Sequence, residues 1–570
     1  MKKIIFALLL ISIVVIALSC GENTSVYEYK NSSDGSGVEI TNYKGTMEKV
    51  TVPSEIDGKK VVSIGAAFAE NTAIESITLP DTVKNVAAGA FFGCTALKTA
   101  NLGKTVQKIP DYAFYGCESL EKVSCGEFLS SVGENAFGYC RKFDSFDFNA
   151  VEKIGKNAFY NCNSLKRAEM PNLYEMGDSA FYFCNSLESV TFGDSLSEIP
   201  RAAFYSCVTL KAVSLPASVK AVCDGAFDYC DSLETVDMPG VKFIEQYAFA
   251  LCPKLAKVSA PLCETLGEGV FMYDVSLENI DLPSAKEAGD YLFANCTTLK
   301  NISLGTDFEK AGRYTFAYCT NLESFNIGEN VKELGAGAFA FDVSLEKITS
   351  DSAVYTVKDG VLYENENVLH TYPAGLTADS FTAPSGVTAI AEAAFANASL
   401  KTVSTGGATT IGDNAFCRCE RLETVAMPSV AEIGEGAFAF CFELRSIDVS
   451  SYSAYSFDGN ALIRDGVLVC FTAGSGIADY TVPDGIKTVA YRAFAGCRGL
   501  VKLTVNSTCE KIETEAFCGC TALESAYIAE GISIEKDAFA DCGKLTLNGG
   551  TEAKKYAQEN EIDFTVKTSS

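Results

Sequence analysis

Read for its apolar and polar positions, the chain is a repeat. A phenylalanine preceded by alanine is followed three residues later by a small residue and six later by leucine. A Leu-x-x-Val-x-Leu stretch and a proline or glycine come next. Ser186 to Pro216, SLESVTFGDSLSEIPRAAFYSCVTLKAVSLP, shows the whole unit. The motif phenylalanine occurs nineteen times between Phe68 and Phe539, mostly at intervals of 22 or 23 residues. Two intervals are 56 residues long, Phe339 to Phe395 and Phe438 to Phe494. The Val-x-Leu alternation marks a short strand with one buried face. Ile-Gly marks a tight corner, and Ala-Phe-x-x-Cys-x-x-Leu fits a helical or 3-10 turn better than a strand. One coil of this length cannot bury its own apolar side, whereas stacked coils can. The pattern therefore predicts an α/β-type repeat solenoid of about nineteen units, with short parallel strands and short helical or 3-10 turns.

The ends and interruptions complete the organisation. Residues 1–19 carry Lys2 and Lys3, an apolar run and small residues, as a secretory signal does. Ala-Leu-Ser-Cys at residues 17–20 resembles a lipobox, which makes Cys20 the candidate lipidation site; a plain signal cut near Ser19 is the alternative. Residues 20–26 read as a tether, 27–62 as a β-rich N-terminal cap, 63–545 as the solenoid and 546–570 as a C-terminal cap with a helix from Thr551. Modified coils are expected at about 350–390 and 450–490, each containing Asp-Gly-Val-Leu, with hairpin turns at Gly360 and Gly466.

Fifteen of the 23 cysteines sit three residues after a motif phenylalanine: Cys94, Cys117, Cys140, Cys162, Cys184, Cys207, Cys230, Cys252, Cys296, Cys319, Cys419, Cys441, Cys497, Cys520 and Cys542. Asn71, Asp274, Asp342 and Ala398 occupy the same slot elsewhere. A slot that accepts all four residue types is not a metal-ligand slot. It reads as a small interior position where a thiol can donate weakly to backbone. Cys417-Arg418-Cys419 and Cys518-Gly519-Cys520 lack a second ligand pair at zinc spacing. One cysteine per coil favours free thiols over disulfides.

Charge and composition narrow the chemistry. A net charge of -27 opposes nucleic acid and anionic lipid. His370 is the only histidine and has no nucleophile pattern beside it. No cofactor motif is read, and an enzyme is not expected. Between the last two apolar positions of each strand, one residue should face outward. That column reads Asn101, Ser124, Asp147, Glu169, Thr191, Ser214, Asp237, Ser259, Asp281, Ser303, Asn326 and Thr349. It is small and polar, partly acidic, and is the candidate ligand-binding face.

The repeat, the opening YKGTMEKVTVPSEIDGKKVVSIGAAF and the interruption DGVLY…YPAG…APSGVTAIAEAAF resemble the BspA-like leucine-rich-repeat surface proteins over about residues 27–566. The resemblance implies a cell-surface or secreted bacterial protein, anchored here by lipid to the outer membrane or cell surface. Some members bind host extracellular-matrix proteins such as fibronectin and fibrinogen or promote coaggregation. A protein or glycan partner is thus expected, with membrane contact through the anchor only. A structural or assembly lipoprotein of the envelope with periplasmic partners is the alternative. The family has no portable catalytic or binding motif.

Overall fold

The computed structural model describes residues 24–449 and 453–566. Two compact units divide the chain, one up to Pro261 and one from Leu262. Each is a solenoid of parallel strands.

In the N-terminal unit Tyr27–Asn31 and Val38–Tyr43 form an antiparallel pair, and Val38–Tyr43 joins Lys59–Ile64 in parallel. Coils then stack through three backbone ladders. The first consists of the Leu-x-x-Val-x-Leu strands. Lys49–Thr51, Ser76–Thr78, Thr99–Asn101 and Lys122–Ser124 pair side by side in register. The second consists of two-residue strands before the corner, such as Lys108–Ile109, Ser131–Val132 and Lys153–Ile154. Where that corner is glycine the preceding coil's backbone passes close, and a Cβ on Gly177 would lie 2.4 Å from the Lys156 nitrogen; Pro110, Cys223 and Glu245 take the same place in other coils.

The third ladder runs through the Ala-Phe turn, and here the expected helical or 3-10 geometry is replaced. Among the described residues 3-10 helix is confined to Thr24–Val26 and Ala473–Ser475, and α-helix to Thr551–Glu559. The turn segment instead carries a left-handed residue two places before and two places after the motif phenylalanine. Tyr112 has φ 57° and Gly116 φ 73°, on either side of Ala113-Phe114-Tyr115. In this geometry every second N–H points at the following coil. Tyr112, Phe114 and Gly116 donate to the carbonyls of Glu134, Ala136 and Gly138 at 2.7–2.8 Å. The intervening N–H groups of Ala113, Tyr115 and Cys117 close turns onto Pro110, Tyr112 and Phe114. A non-glycine residue at positive φ costs about 1 kcal/mol or more. The hydrogen bond it makes possible contributes about as much.

The motif rings pack face to face along the axis. Phe114, Phe137, Phe159, Phe181 and Phe204 have successive centroids 5.1–5.4 Å apart. In the C-terminal unit Phe271, Phe293, Phe316 and Phe339 continue the pattern at 5.3–6.0 Å. Four rings outside the motif extend the stacks. Tyr43 lies against Phe68, Tyr372 on Phe395, Phe471 on Phe494 and the helix residue Tyr556 against Phe539. Tyr372 and Phe471 also donate their N–H to Ala394 and Ala493 at 2.7 Å, as a motif phenylalanine does. The solenoid has about 23 turns, more than the nineteen motif units.

The long intervals contain paired hairpins. Tyr355–Lys358, Val361–Glu364 and Val368–Thr371 form successive antiparallel pairs, as do Ser456–Phe457, Ala461–Arg464 and Val467–Phe471. The two Asp-Gly-Val-Leu stretches are not equivalent: Asp359-Gly360 makes the first turn of its module and Asp465-Gly466 the second. Each module closes a ladder of short strands. The Leu334 N–H donates to the Tyr355 hydroxyl at 2.7 Å, and the Ile433 N–H to the Tyr455 hydroxyl at 2.9 Å. His370, fully buried, places Nε2 3.2 Å from the Leu334 carbonyl, and burial lowers its pKa. Its role is thus to satisfy a ladder end. At the C-terminus the helix Thr551–Glu559 and the strand Asp563–Thr565 cover the last coil, and the Tyr556 hydroxyl accepts the Phe539 N–H.

Because each ring is sandwiched, Phe159→Ala should destabilise the N-terminal unit by about 3–5 kcal/mol. Urea unfolding followed by circular dichroism would read this. A change below about 1 kcal/mol would show that the stack does not carry the core.

Candidate functional site

The outward strand column stands as the alternation requires: Asp147, Glu169, Thr191, Ser214, Asp237, Ser259, Asp281, Ser303 and Asn326 are all exposed. The pleat that buries Val123, Val190 or Val213 turns the next residue to solvent. Part of the column is bonded along the axis. The Thr349 hydroxyl donates to Asn326 at 2.6 Å.

The strand ladder lapses at intervals, and clefts open there. In the N-terminal unit the Cys140–Ala150 coil has Phe146 where most coils have Val or Ile. Phe143, Phe146 and Phe148 crowd around Phe137 and Phe159, with centroids 4.7–5.7 Å apart. Phe146 stays only half-buried, and its coil keeps a single bridge, Ser145 to Lys122. Leu79 and Leu102 donate forward to the carbonyls of Asn101 and Ser124 at 2.8 Å. Among the described residues no such bond joins Phe148 to Glu169. The resulting cleft, about 450 Å³, brings Asp147 and Glu169 together with Asp144, Lys166 and Arg167 over Phe146. A second cleft of the same unit, about 410 Å³, holds Ser214, Asp237 and Ser259 over Val213 and Val236.

In the C-terminal unit the pairs Asn279–Leu282/Asn301–Leu304 and Ser324–Ile327/Lys347–Ser350 are not joined to each other. A cleft of about 260 Å³ there is lined by Asn326, Thr349, Lys300 and Lys347, with Phe325 in the valine position. Thr191, Asp281 and Ser303 remain on the open face outside the three clefts. These surfaces are shallow, polar and mixed in charge, suited to several weak contacts.

Two columns escaped the reading of the sequence. Two residues before the buried valine, opposite charges face each other in several neighbouring coils, as in Glu75 and Lys98, or Glu278 and Lys300, although Glu121 adjoins Asp144 and Glu323 adjoins Glu346. Glu75 and Lys98 pair at 2.8 Å, and Glu278 and Lys300 at 3.7 Å. Before the corner Glu264 pairs with Lys286 at 2.6 Å, and Glu309 with Lys332 at 2.7 Å. Each exposed pair is worth little, roughly 0–1 kcal/mol. The signal was present at an offset of one repeat, where local periodicity does not look.

Cys20 lies outside the described residues. The ladder cysteines are free and buried. Cys162, Cys184 and Cys207 donate their thiols to the carbonyls of Phe137, Phe159 and Phe181 at 3.2–3.3 Å. Cys296, Cys319 and Cys419 do the same to Phe271, Phe293 and Phe395. The phenylalanine carbonyl already accepts an N–H within its own coil, and the thiol fills the second lone pair. Burial pushes Cys184 and Cys470 up to about 12 and Cys417 to about 11, whereas a hydrogen bond from Cys117 lowers Cys94 at the start of the column. Among the described residues no three His, Cys, Asp or Glu side chains are grouped to hold a metal ion.

In the cysteine slot, Asp342 is fully buried, and its Oδ1 accepts the Cys319 N–H at 2.8 Å. Its Oδ2 has no partner, and burial raises its pKa well above the usual carboxylate range.

The sequence matches the family described as BspA type leucine rich repeat region, over residues 62–175, 152–274, 242–369, 374–464 and 469–555. No curated protein matches. Among solved structures, a leucine-rich repeat protein from Bacteroides ovatus is 20% identical, covering 95% of this chain and 98% of that one, with a TM-score of 0.38. A leucine rich cell surface protein from Faecalibacterium prausnitzii is 23% identical over 94% and 96%, TM-score 0.23. The T. pallidum leucine rich repeat protein is 24% identical over 44% and 88%, TM-score 0.25. No helix among the described residues is long and apolar enough to cross a membrane.

Two predictions follow from the interior slot. In native protein at pH 8, iodoacetamide should modify the half-buried Cys125, Cys223 and Cys518 before the column from Cys117 to Cys319, as read by peptide mass spectrometry. Equal labelling would contradict a buried, un-ionised column. For Asp342 the raised pKa means the folded state holds the proton, so its stabilising effect is complete at acid pH and lost as pH rises past the unfolded value of 3.8. Asp342→Asn should remove that loss, raising stability at pH 8 by at least about 1.4 kcal/mol relative to pH 4. An unchanged difference between melts at the two pH values would refute it.

Proposed function

As the chain belongs to the BspA type leucine-rich-repeat family, we propose that it is a lipid-anchored cell-surface binding protein whose outward strand face engages other proteins, in adhesion to host extracellular-matrix proteins or to other cells. Family and fold are those of non-enzymatic repeat proteins. The observation that carries the reading is the strand face itself. Its outward column contains no basic residue from Asn101 to Thr349, and in the cleft over Phe146 two of its carboxylates, Asp147 and Glu169, collect above an aromatic floor. A partner that lays basic side chains along this face would place them over Asp147 and Glu169, with Phe146 beneath for cation–π contact.

Such a face favours many modest contacts along the array over one deep pocket. Hot-spot residues of the Trp, Tyr and Arg type are sparse in the column, so affinity depends on covering several coils. The Cys20 anchor would hold the array at the membrane by acyl chains.

Surface plasmon resonance of the exported chain over immobilised fibronectin and fibrinogen tests the reading at physiological salt. Wild type should bind, and Asp147→Lys with Glu169→Lys should weaken binding about tenfold, corresponding to about 1.4 kcal/mol. Proteinase treatment of intact cells should remove the protein. Protection in intact cells together with absent matrix binding would favour the envelope-assembly role.

A further inference from the structure

The turn face of the C-terminal unit carries a groove unrelated to the strand face. Its origin lies in the residue that follows each motif phenylalanine. In the N-terminal unit that residue is often aromatic, and the rings of Phe92 and Tyr115, or Tyr160, Tyr182 and Tyr205, stack at 4.6–5.6 Å. In the C-terminal unit Ala317, Ala340, Ala396, Cys417, Ala439 and Ala495 take the position. These small side chains are buried together with Phe341 as a floor separate from the main core. Above them lies a groove of about 720 Å³, walled by Tyr314, Tyr318, Phe341 and Phe440.

Three of the chain's ten arginines line this groove in an otherwise acidic protein. Two are already matched. Arg313 pairs with Glu392 at 2.5 Å, beside the Tyr314 hydroxyl, which donates to the same carboxylate at 2.7 Å. Arg492 pairs with Glu515 at 2.6 Å. Arg418 is exposed, rests against the Phe440 ring at 5.5 Å, and has no carboxylate within salt-bridge distance among the described residues. Stacking on the ring fixes the guanidinium plane and leaves its N–H fork free. On the same wall the Asn414 Oδ1 is shielded from solvent without a hydrogen-bond donor. A buried acceptor left unfilled costs about 1–3 kcal/mol.

We propose that this groove docks a segment of a partner protein that presents a carboxylate next to an aromatic or aliphatic side chain. The carboxylate takes the Arg418 fork in a bidentate pair, and the apolar side chain lies against Tyr318 and Phe440. Aromatic walls beside an arginine are the composition of binding hot spots. The volume lies within the range of ligand sites, about 300–1,000 Å³. The aromatic wall distinguishes this occupant from a free carboxylate, which has no apolar side chain to lay against it.

The test uses the full chain and a fixed array of dodecapeptides, each pairing one Glu with Phe, Tyr or Leu at every short spacing, and the same set with Gln for Glu. Fluorescence polarisation should find Glu peptides bound at least tenfold more tightly than their Gln counterparts. Arg418→Gln should bring that ratio to about one with an unchanged melting temperature, and Asp147→Lys should leave it intact. Equal binding of Glu and Gln peptides, retention of the preference in Arg418→Gln, displacement by free glutamate as effectively as by peptide, or no binding at millimolar peptide would each overturn the proposal.

Discussion

The backbone N–H and carbonyl of the motif phenylalanine are both held by the following coil, and the rest of the structure depends on them. Its N–H reaches the carbonyl before the next phenylalanine; Phe159, for example, donates to Ala180 at 2.8 Å. Its own carbonyl accepts the Cys162 N–H within the coil and the Cys184 thiol from the next. A non-helical turn of this kind would otherwise leave buried polar groups unpaired. Phenylalanine, cysteine and the preceding alanine recur together because each serves this one peptide: the ring fills the interior, the thiol fills a lone pair, and alanine permits close approach.

Much of this was legible because it is local and periodic. The spacing of Phe, Cys and Leu, the Val-x-Leu strand and the Ile-Gly corner all state their burial directly. The turn was misread as helical because apolar residues at intervals of three fit both a helix and a chain of linked turns. Backbone angles at residues such as Tyr112 separate them; the Gly and Asn that fill many of the same places, Gly116 and Asn135 among them, were the unread hint of positive φ. Tyr43, Tyr372, Phe471 and Tyr556 were missed because they join the ring column without the flanking alanine and cysteine. The outward column was predictable residue by residue. Its clefts were not, since they depend on how Phe146 and Phe325 disturb neighbouring coils.

Once the backbone scaffold is fixed by interior columns, the outward columns are free to diverge. One carries exposed ion pairs between several neighbouring coils. The strand column is polar and acidic. The turn-face column is aromatic in one unit and small in the other, so the same fold gives a ridge in one place and a trough in another. The hairpin modules interrupt the ladders yet close their ends, with Tyr355 and His370 satisfying both backbone groups of Leu334. Function in such a chain is a matter of which columns differ, not of any departure from the coil.

Hydrogen exchange resolved to single amides tests the central claim most directly. The account predicts that in each turn segment the motif phenylalanine amides, Phe114 through Phe204, exchange among the slowest in the N-terminal unit, far more slowly than the amides of the surface turn Ser32–Gly37. Fast exchange at those phenylalanines, comparable to that turn, would contradict a structure held together by the phenylalanine peptide.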